Sequence, residues 1–163
     1  MDTAKAALIW ITDILKKLNV PFQITGGLAA RAYGATRPLV DIDVDIPEEA
    51  FNRVKKEVVE FIVFGPERYK DAHWDLLLIT VDYKGQAIDL AGAYTAKMFN
   101  KQTGDWLSII TNFSTVQVRN VLGIEMPVIA INELLAYKKI IRRDVDLIDI
   151  QELYTPKLTG LKK

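Results

Sequence analysis

The stretch "DIDVDIP", Asp41 to Pro47, sets three carboxylates among three β-branched aliphatics and stops on a proline. Alternation with a period of two is strand patterning, so Ile42, Val44 and Ile46 share one face and Asp41, Asp43 and Asp45 the other. Like charges side by side on a strand repel and destabilise it. A bound cation turns that repulsion into shared coordination. The Cα atoms of Asp41 and Asp43 would lie about 6.7 Å apart on one face. Their side chains can converge on a pair of hard divalent ions, Mg2+ or in its place Mn2+. Metals about 3.5–4 Å apart can activate an attacking oxygen and stabilise a leaving one. A third acid from a neighbouring strand would complete the cluster. Asp89 is the best candidate, because it interrupts an apolar strand between Ile88 and Leu90; Asp75 and Asp82 compete, but Asp82 sits at a turn.

Upstream stand Gly26-Gly27 and Arg37. Two glycines after a strand let a backbone approach phosphate oxygens, and the helix that follows offers free N–H donors. Arg37 either binds phosphate or pairs with one of the aspartates. The order is strand, glycine pair, short helix, arginine, acidic strand and later acid, which suits a nucleoside triphosphate with its metal.

These residues need a frame. "TAKAALIWITDILKKLN" places Ala7, Leu8, Ile11, Ile14, Leu15 and Leu18 on one helical face. "VPFQIT" reads as a short strand, "LAARAYG" as a brief helix ended by Gly34, and "PEEAFNRVKKEVVEF" as a helix opened by Pro47 and two glutamates. "HWDLLLITVDY" and "QAIDLAG" form a hairpin turning at "KG", and "FSTVQVRNVLGIEMPVI" another near Gly123. Residues 95–112 read as irregular or short-helical. "INELLAYKKIIRR" and "DVDLIDIQELY" close the chain as helices. The expectation is one α+β domain over 1–163, a mixed sheet flanked by helices, with a core at 1–128 and a short helical tail at 129–163.

Composition narrows the function. The 163 residues are half hydrophobic and 26% charged, enough for one real core. Lysine plus arginine equal aspartate plus glutamate at 21 each, which argues against binding nucleic acid by bulk charge. Without cysteine there is no disulfide or thiolate chemistry, and a single histidine, His73, excludes multi-histidine metal sites. No apolar run reaches a membrane span and no signal-peptide pattern opens the chain, so a cytoplasmic home is the default.

"GGLAARAYGATRPLVDIDVDIP" resembles the GG…R…DxD signature of the DNA polymerase β-like nucleotidyltransferases, above all their small prokaryotic members, the minimal nucleotidyltransferases and nucleotidyltransferase toxins. "MPVIAINELLAYKKIIRRDVDLIDIQEL" is similar to the family's tail, with Lys138, Arg143, Asp146 and Asp149 in the matching places. The likeness spans roughly 20–46, 85–92 and 126–153. It implies Mg2+-dependent transfer of a nucleoside monophosphate from an NTP to a hydroxyl, releasing pyrophosphate. Asp41 and Asp43 would hold the metals, and Asp89 would share the catalytic one and help activate the acceptor. Gly26 and Gly27 would cradle the phosphates, with Lys138 and Arg143 neutralising their charge. Leu39 stands where the family often has threonine, and Val145 where it often has a basic residue. The acceptor is left open between a protein, an RNA end and a small molecule, as is an antitoxin-type protein partner.

Blander readings accompany each residue. Asp45 belongs to the strand's end, facing solvent or capping the next helix. Lys138 beside Lys139 could be a surface lysine, and Asp146 and Asp149 should pair with Arg142 or Arg143. His73 reads as a half-buried or surface residue, and Trp10, Trp74 and Trp106 as packing. The competing function is a catalytically silent nucleotide- or metal-binding module that acts through a protein partner.

Overall fold

The computed structural model describes residues 2–154. Helix α1, Thr3–Lys17, starts where the Asp2 carboxylate accepts the Ala4 N–H, and it buries Ala4, Ala7, Leu8, Ile11, Thr12 and Leu15. Strand β1, Gln23–Thr25, feeds α2, Gly26–Ala32, and the acidic stretch is β2, Asp41–Ile46. A 3-10 turn at Glu48–Ala50 precedes α3, Phe51–Val58, so the expected helix after Pro47 is shorter and begins later. Then follow β3 (Ile62–Lys70), β4 (Trp74–Tyr83), β5 (Gln86–Gly92), β6 (Ala96–Asn100), β7 (Asp105–Ile109), β8 (Gln117–Val121) and β9 (Ile124–Val128). Helices α4, Ile131–Ile141, and α5, Asp144–Tyr154, complete the described chain. The remainder of the expected tail, 155–163, lies outside the described residues.

The strands form one mixed sheet in the order β7-β6-β4-β5-β2-β1-β9-β8, with β3 on the other edge of β4. The two hairpins stand where turn residues predict them. Lys84 and Gly85 both have positive φ (52° and 90°), joining Tyr83 and Gln86 as a two-residue connection whose twist matches its strands. Leu122 and Gly123 do the same between β8 and β9. Two expectations fail. Residues 95–112 contain the β6–β7 hairpin rather than helix, because five-residue strands facing partly to solvent carry too short an alternation to read. Strand β3 was not expected, since Gly65 and Pro66 interrupt its pattern and its register shifts on both sides of Phe64.

The core lies against one face of this sheet. Ile42, Val44 and Ile46 of β2, Ile88 and Leu90 of β5, and Ile79 and Val81 of β4 are fully buried. They belong to one cluster with Leu8, Ile11 and Leu15 of α1 and with Phe51, Val54 and Val58 of α3. Each such side chain contributes about 1.5–3 kcal/mol when removed from water. Strand alternation therefore drives the aspartates of β2 onto the opposite face. No helix among the described residues is long and apolar enough to cross a membrane. Ile42→Ala should cost about 2–5 kcal/mol, read as a lowered urea midpoint with unchanged slope. A loss below 1 kcal/mol would mean that the back of β2 does not anchor the acidic face.

Candidate active site

The parallel pairing of β2 with β5 sets Asp43 directly opposite Asp89 and Asp41 opposite Ala87. As a result Asp41, Asp43 and Asp89 each offer a carboxylate oxygen within 4.8 Å of the other two, all three partly exposed. The β4–β5 hairpin adds Thr80, in register with Asp89, whose Oγ1 donates to Asp89 Oδ1 at 2.6 Å. Burial, then Asp41, Asp89 and Asp45, push the Asp43 carboxyl well above the usual range, while Arg143 pulls it back. Burial raises Asp89 as well; the Thr80 hydroxyl lowers it and Asp41 raises it again. The donor set is three hard oxygens crowded by mutual repulsion, which fits a hard divalent cation such as Mg2+.

Asp45 differs from expectation. It neither caps the following turn nor faces open solvent, but accepts Gln23 Nε2 at 2.8 Å from across the β1–β2 pair. Burial raises its carboxyl to about 6, against the pull of that hydrogen bond. An ionised carboxylate only accepts, so Gln23 must turn its N–H to it. The amide's Oε1 is then left buried without a partner.

Both glycines are required by close approach. Gly26 has φ of +64°, and a Cβ there would collide with the Asp43 carboxylate. A Cβ on Gly27 would lie 2.7 Å from Arg37 Nη2. The glycine pair thus joins the acidic cluster on one side to a guanidinium on the other.

The tail supplies a buried ionic chain. Arg37 Nε and Nη2 donate to Asp149 at 2.9 and 3.0 Å. Lys138 Nζ bridges Asp149 and Asp146, at 3.0 Å to each. Arg143 holds Asp146 through Nε at 2.7 Å and Nη2 at 3.1 Å, with its backbone N–H at 3.0 Å. Lys138, Asp146 and Asp149 are wholly buried. Burial pulls the Lys138 pKa down, but Tyr137, Asp146 and Asp149 more than offset it and raise it above the usual lysine value, so the amine is charged. Lys138 is therefore no surface lysine, and its ammonium meets two carboxylates rather than open space. The partner of Asp146 is Arg143; Arg142 ends α4 in the left-handed conformation.

The remaining expectations sort by place. His73 lies in the β3–β4 turn, where its N–H and that of Trp74 donate to Asp71. Trp10 stacks on Tyr83, and Trp106 packs on Phe99. Trp74 sits beside the ionic chain, 5.9 Å from Tyr137 and under the Arg143 guanidinium. Sequence reasoning missed Thr80, although a two-residue turn at Lys84-Gly85 already fixes its pairing with Asp89.

No protein-family model matches the chain, and no curated protein sequence does. Solved structures do. A candidate nucleotidyltransferase from Thermotoga maritima superposes with a TM-score of 0.68 at 20% identity, covering 84% of each chain. The lincosamide antibiotic adenylyltransferase LnuA, solved with lincomycin, gives 0.62 at 14% identity over 95% of this chain and 99% of its own. The antibiotic-resistance factor ANT(2″)-Ia gives 0.60 at 17% identity over 94% and 82%. The chain has the nucleotidyltransferase fold.

The raised carboxyls carry a pH signature. An acid whose folded pKa exceeds its unfolded one stabilises the fold below the unfolded value and loses that stabilisation as pH rises through the folded value. Asp43, Asp45 and Asp89 all lie in that direction, Asp45 reaching about 6. Metal-free protein should therefore melt several degrees higher near pH 5 than near pH 7. Asp43→Asn should remove part of the difference by raising the melting temperature near pH 7. A melting temperature that falls on acidification to about pH 5, or an unfolded Asp43→Asn protein, would show these carboxylates to be structural ion-pair partners.

Proposed function

We propose that this chain is a Mg2+-dependent nucleotidyltransferase that moves a nucleoside monophosphate from an NTP to an acceptor hydroxyl, releasing pyrophosphate. The observation that carries this reading is the meeting of Asp41, Asp43 and Asp89 on one face of a nucleotidyltransferase fold, beside Gly26, Gly27, Arg37 and Arg143. Asp41 and Asp43 would hold the ions, and Asp89 would share one of them. Bound Mg2+ supplies charge neutralisation and Lewis acidity at the reacting phosphate. Asp89 orients the acceptor hydroxyl. Thr80 donates to its Oδ1 and so fixes the direction in which the carboxylate faces. Gly26 and Gly27 give the phosphates close access to the backbone, and the two arginines face their charge. Phosphoryl transfer asks little covalent chemistry of a protein, so positioning and electrostatics suffice.

LnuA and ANT(2″)-Ia are named for antibiotics, and ANT(2″)-Ia is also solved with adenylyl-2″-tobramycin. A small hydroxyl compound is accordingly the first acceptor to try, in the cytoplasm where NTPs are plentiful. A protein hydroxyl or an RNA end, with an antitoxin-type partner restraining a toxin, comes next.

The test is calorimetric titration with each of the four common NTPs, with and without Mg2+, on the wild-type chain and on Asp41→Asn/Asp43→Asn. We expect Mg2+-dependent binding that the double substitution eliminates, and pyrophosphate release once an acceptor is supplied. A folded wild-type chain that binds no NTP under any of these conditions would overturn the proposal.

A further inference from the structure

The cations beside Gly27 and Asp43 are not independent of one another. Arg37 comes from the loop before β2, and Arg143 from the link between α4 and α5. Each presents its Nε–Nη2 edge to one aspartate of α5, and neither Nη1 has a partner among the described residues. Both arginine side chains keep some exposure, 18% and 31%, whereas those of Lys138, Asp146 and Asp149 have none. Arg37 also fills the space that a side chain on Gly27 would need, and Arg143 bears on Asp43. The two partly exposed arginines therefore stand one beside Gly27 and the other toward Asp43, and a single buried ammonium bridges the aspartates that hold them.

We infer that Lys138 is a positioning residue: with Asp146 and Asp149 it locks Arg37 and Arg143 into a two-armed clamp for a polyphosphate, and it never touches the anion itself. This rests on the nucleotide reading above but departs from the direct phosphate contact that the family resemblance implies for Lys138. The physical case is the geometry of a fork. An arginine bound to a carboxylate by one edge loses its rotamer freedom and offers its other edge in a fixed direction. Two carboxylates with no cation between them would repel within a buried space, so the lysine sets their separation. Without it Asp146 and Asp149 lose their shared partner, and the free edges of Arg37 and Arg143 lose their aim.

Magnesium tripolyphosphate is the probe, since it carries the anion without a base or an acceptor. Its affinity would be measured by calorimetry for the wild-type chain, Lys138→Met, Arg37→Gln and the double variant. We expect each single substitution to weaken binding about tenfold or more, and the double to weaken it no further than Lys138→Met alone, because without Lys138 both arms have lost their aim and removing Arg37 takes away nothing more. Effects that multiply would mean that Lys138 makes its own contact with the anion, and would overturn the inference. So would a folded Lys138→Met protein with unchanged affinity. If Lys138→Met does not fold, Asp149→Asn takes its place, expected to weaken tripolyphosphate binding through Arg37 alone; unchanged affinity there overturns the clamp equally. A wild-type chain that binds NTPs but not tripolyphosphate would overturn the clamp and leave the nucleotide reading standing. A chain that binds neither ends both.

Discussion

The pairing of β2 with β5 is the constraint on which the rest of the structure depends. A parallel ladder with Ile42 opposite Ile88 and Val44 opposite Leu90 puts an aliphatic row on the core side. The same register then obliges Asp43 to face Asp89 on the other side. A slip of one residue would exchange the faces, burying carboxylates in the core and exposing isoleucine. The register that satisfies the hydrophobic core is thus the register that assembles the acids. Folding and site formation are one event here, and the acid cluster needs no separate device to build it.

That arrangement leaves a concentration of negative charge that the apolar back of the sheet must outweigh. The fold answers it in two ways. Hydrogen-bond donors are placed against individual carboxylates, Thr80 on Asp89 and Gln23 on Asp45, the latter at the expense of an unpartnered carbonyl. Positive charge is brought alongside from the far end of the chain, where Arg143 acts on Asp43. An unmet buried carbonyl costs about 1–3 kcal/mol, the kind of loss that persists where a group serves something other than stability. Glu48 shows the contrast: four hydrogen bonds to the backbone and side chain of Tyr94 and Thr95 hold it, it tethers the end of β2 to the loop after β5, and nothing about it is left unsatisfied.

Much of this was legible in the sequence, for reasons that differ between elements. The acidic face of β2 follows from period-two alternation, and the positions of Asp82 and Gly123 from turn chemistry. The choice of Asp89 over Asp75 and Asp82 followed from its apolar neighbours. Asp75 instead pairs with Arg68, and Asp82 accepts the Gly85 N–H at the turn. Strand β3 was hidden by its glycine-proline interruption, and the β6–β7 hairpin by its shortness. The place of Lys138 was illegible for a different reason. Two adjacent lysines on a helix look alike until packing decides which is buried. Here Lys138 turns inward to the aspartates and Lys139 outward onto the Tyr154 ring. Asp45 was misread because its partner, Gln23, reaches it only through the β1–β2 register, which no local signal announces.

Helix α5 carries the logic furthest. Its buried residues are Asp146 and Asp149, while Val145, Leu147 and Ile148 are 36, 40 and 47% exposed. An ordinary surface helix is held by the opposite distribution, with an apolar stripe inward and polar groups outward. Much of α5's attachment is therefore ionic, reinforced by the Thr36 backbone N–H and hydroxyl donating to Glu152. Buried ion pairs return little net stability when complete, yet removing one member costs about 3–5 kcal/mol because a charge is left stranded. An attachment of that kind is close to all-or-none, and it is specific about geometry in a way that an apolar stripe is not. A helix kept in place by greasy contacts could shift by a turn and lose little. A helix kept by two aspartates on one lysine cannot, and so the loop carrying Arg37 is held to α5 at one fixed place, through Asp149.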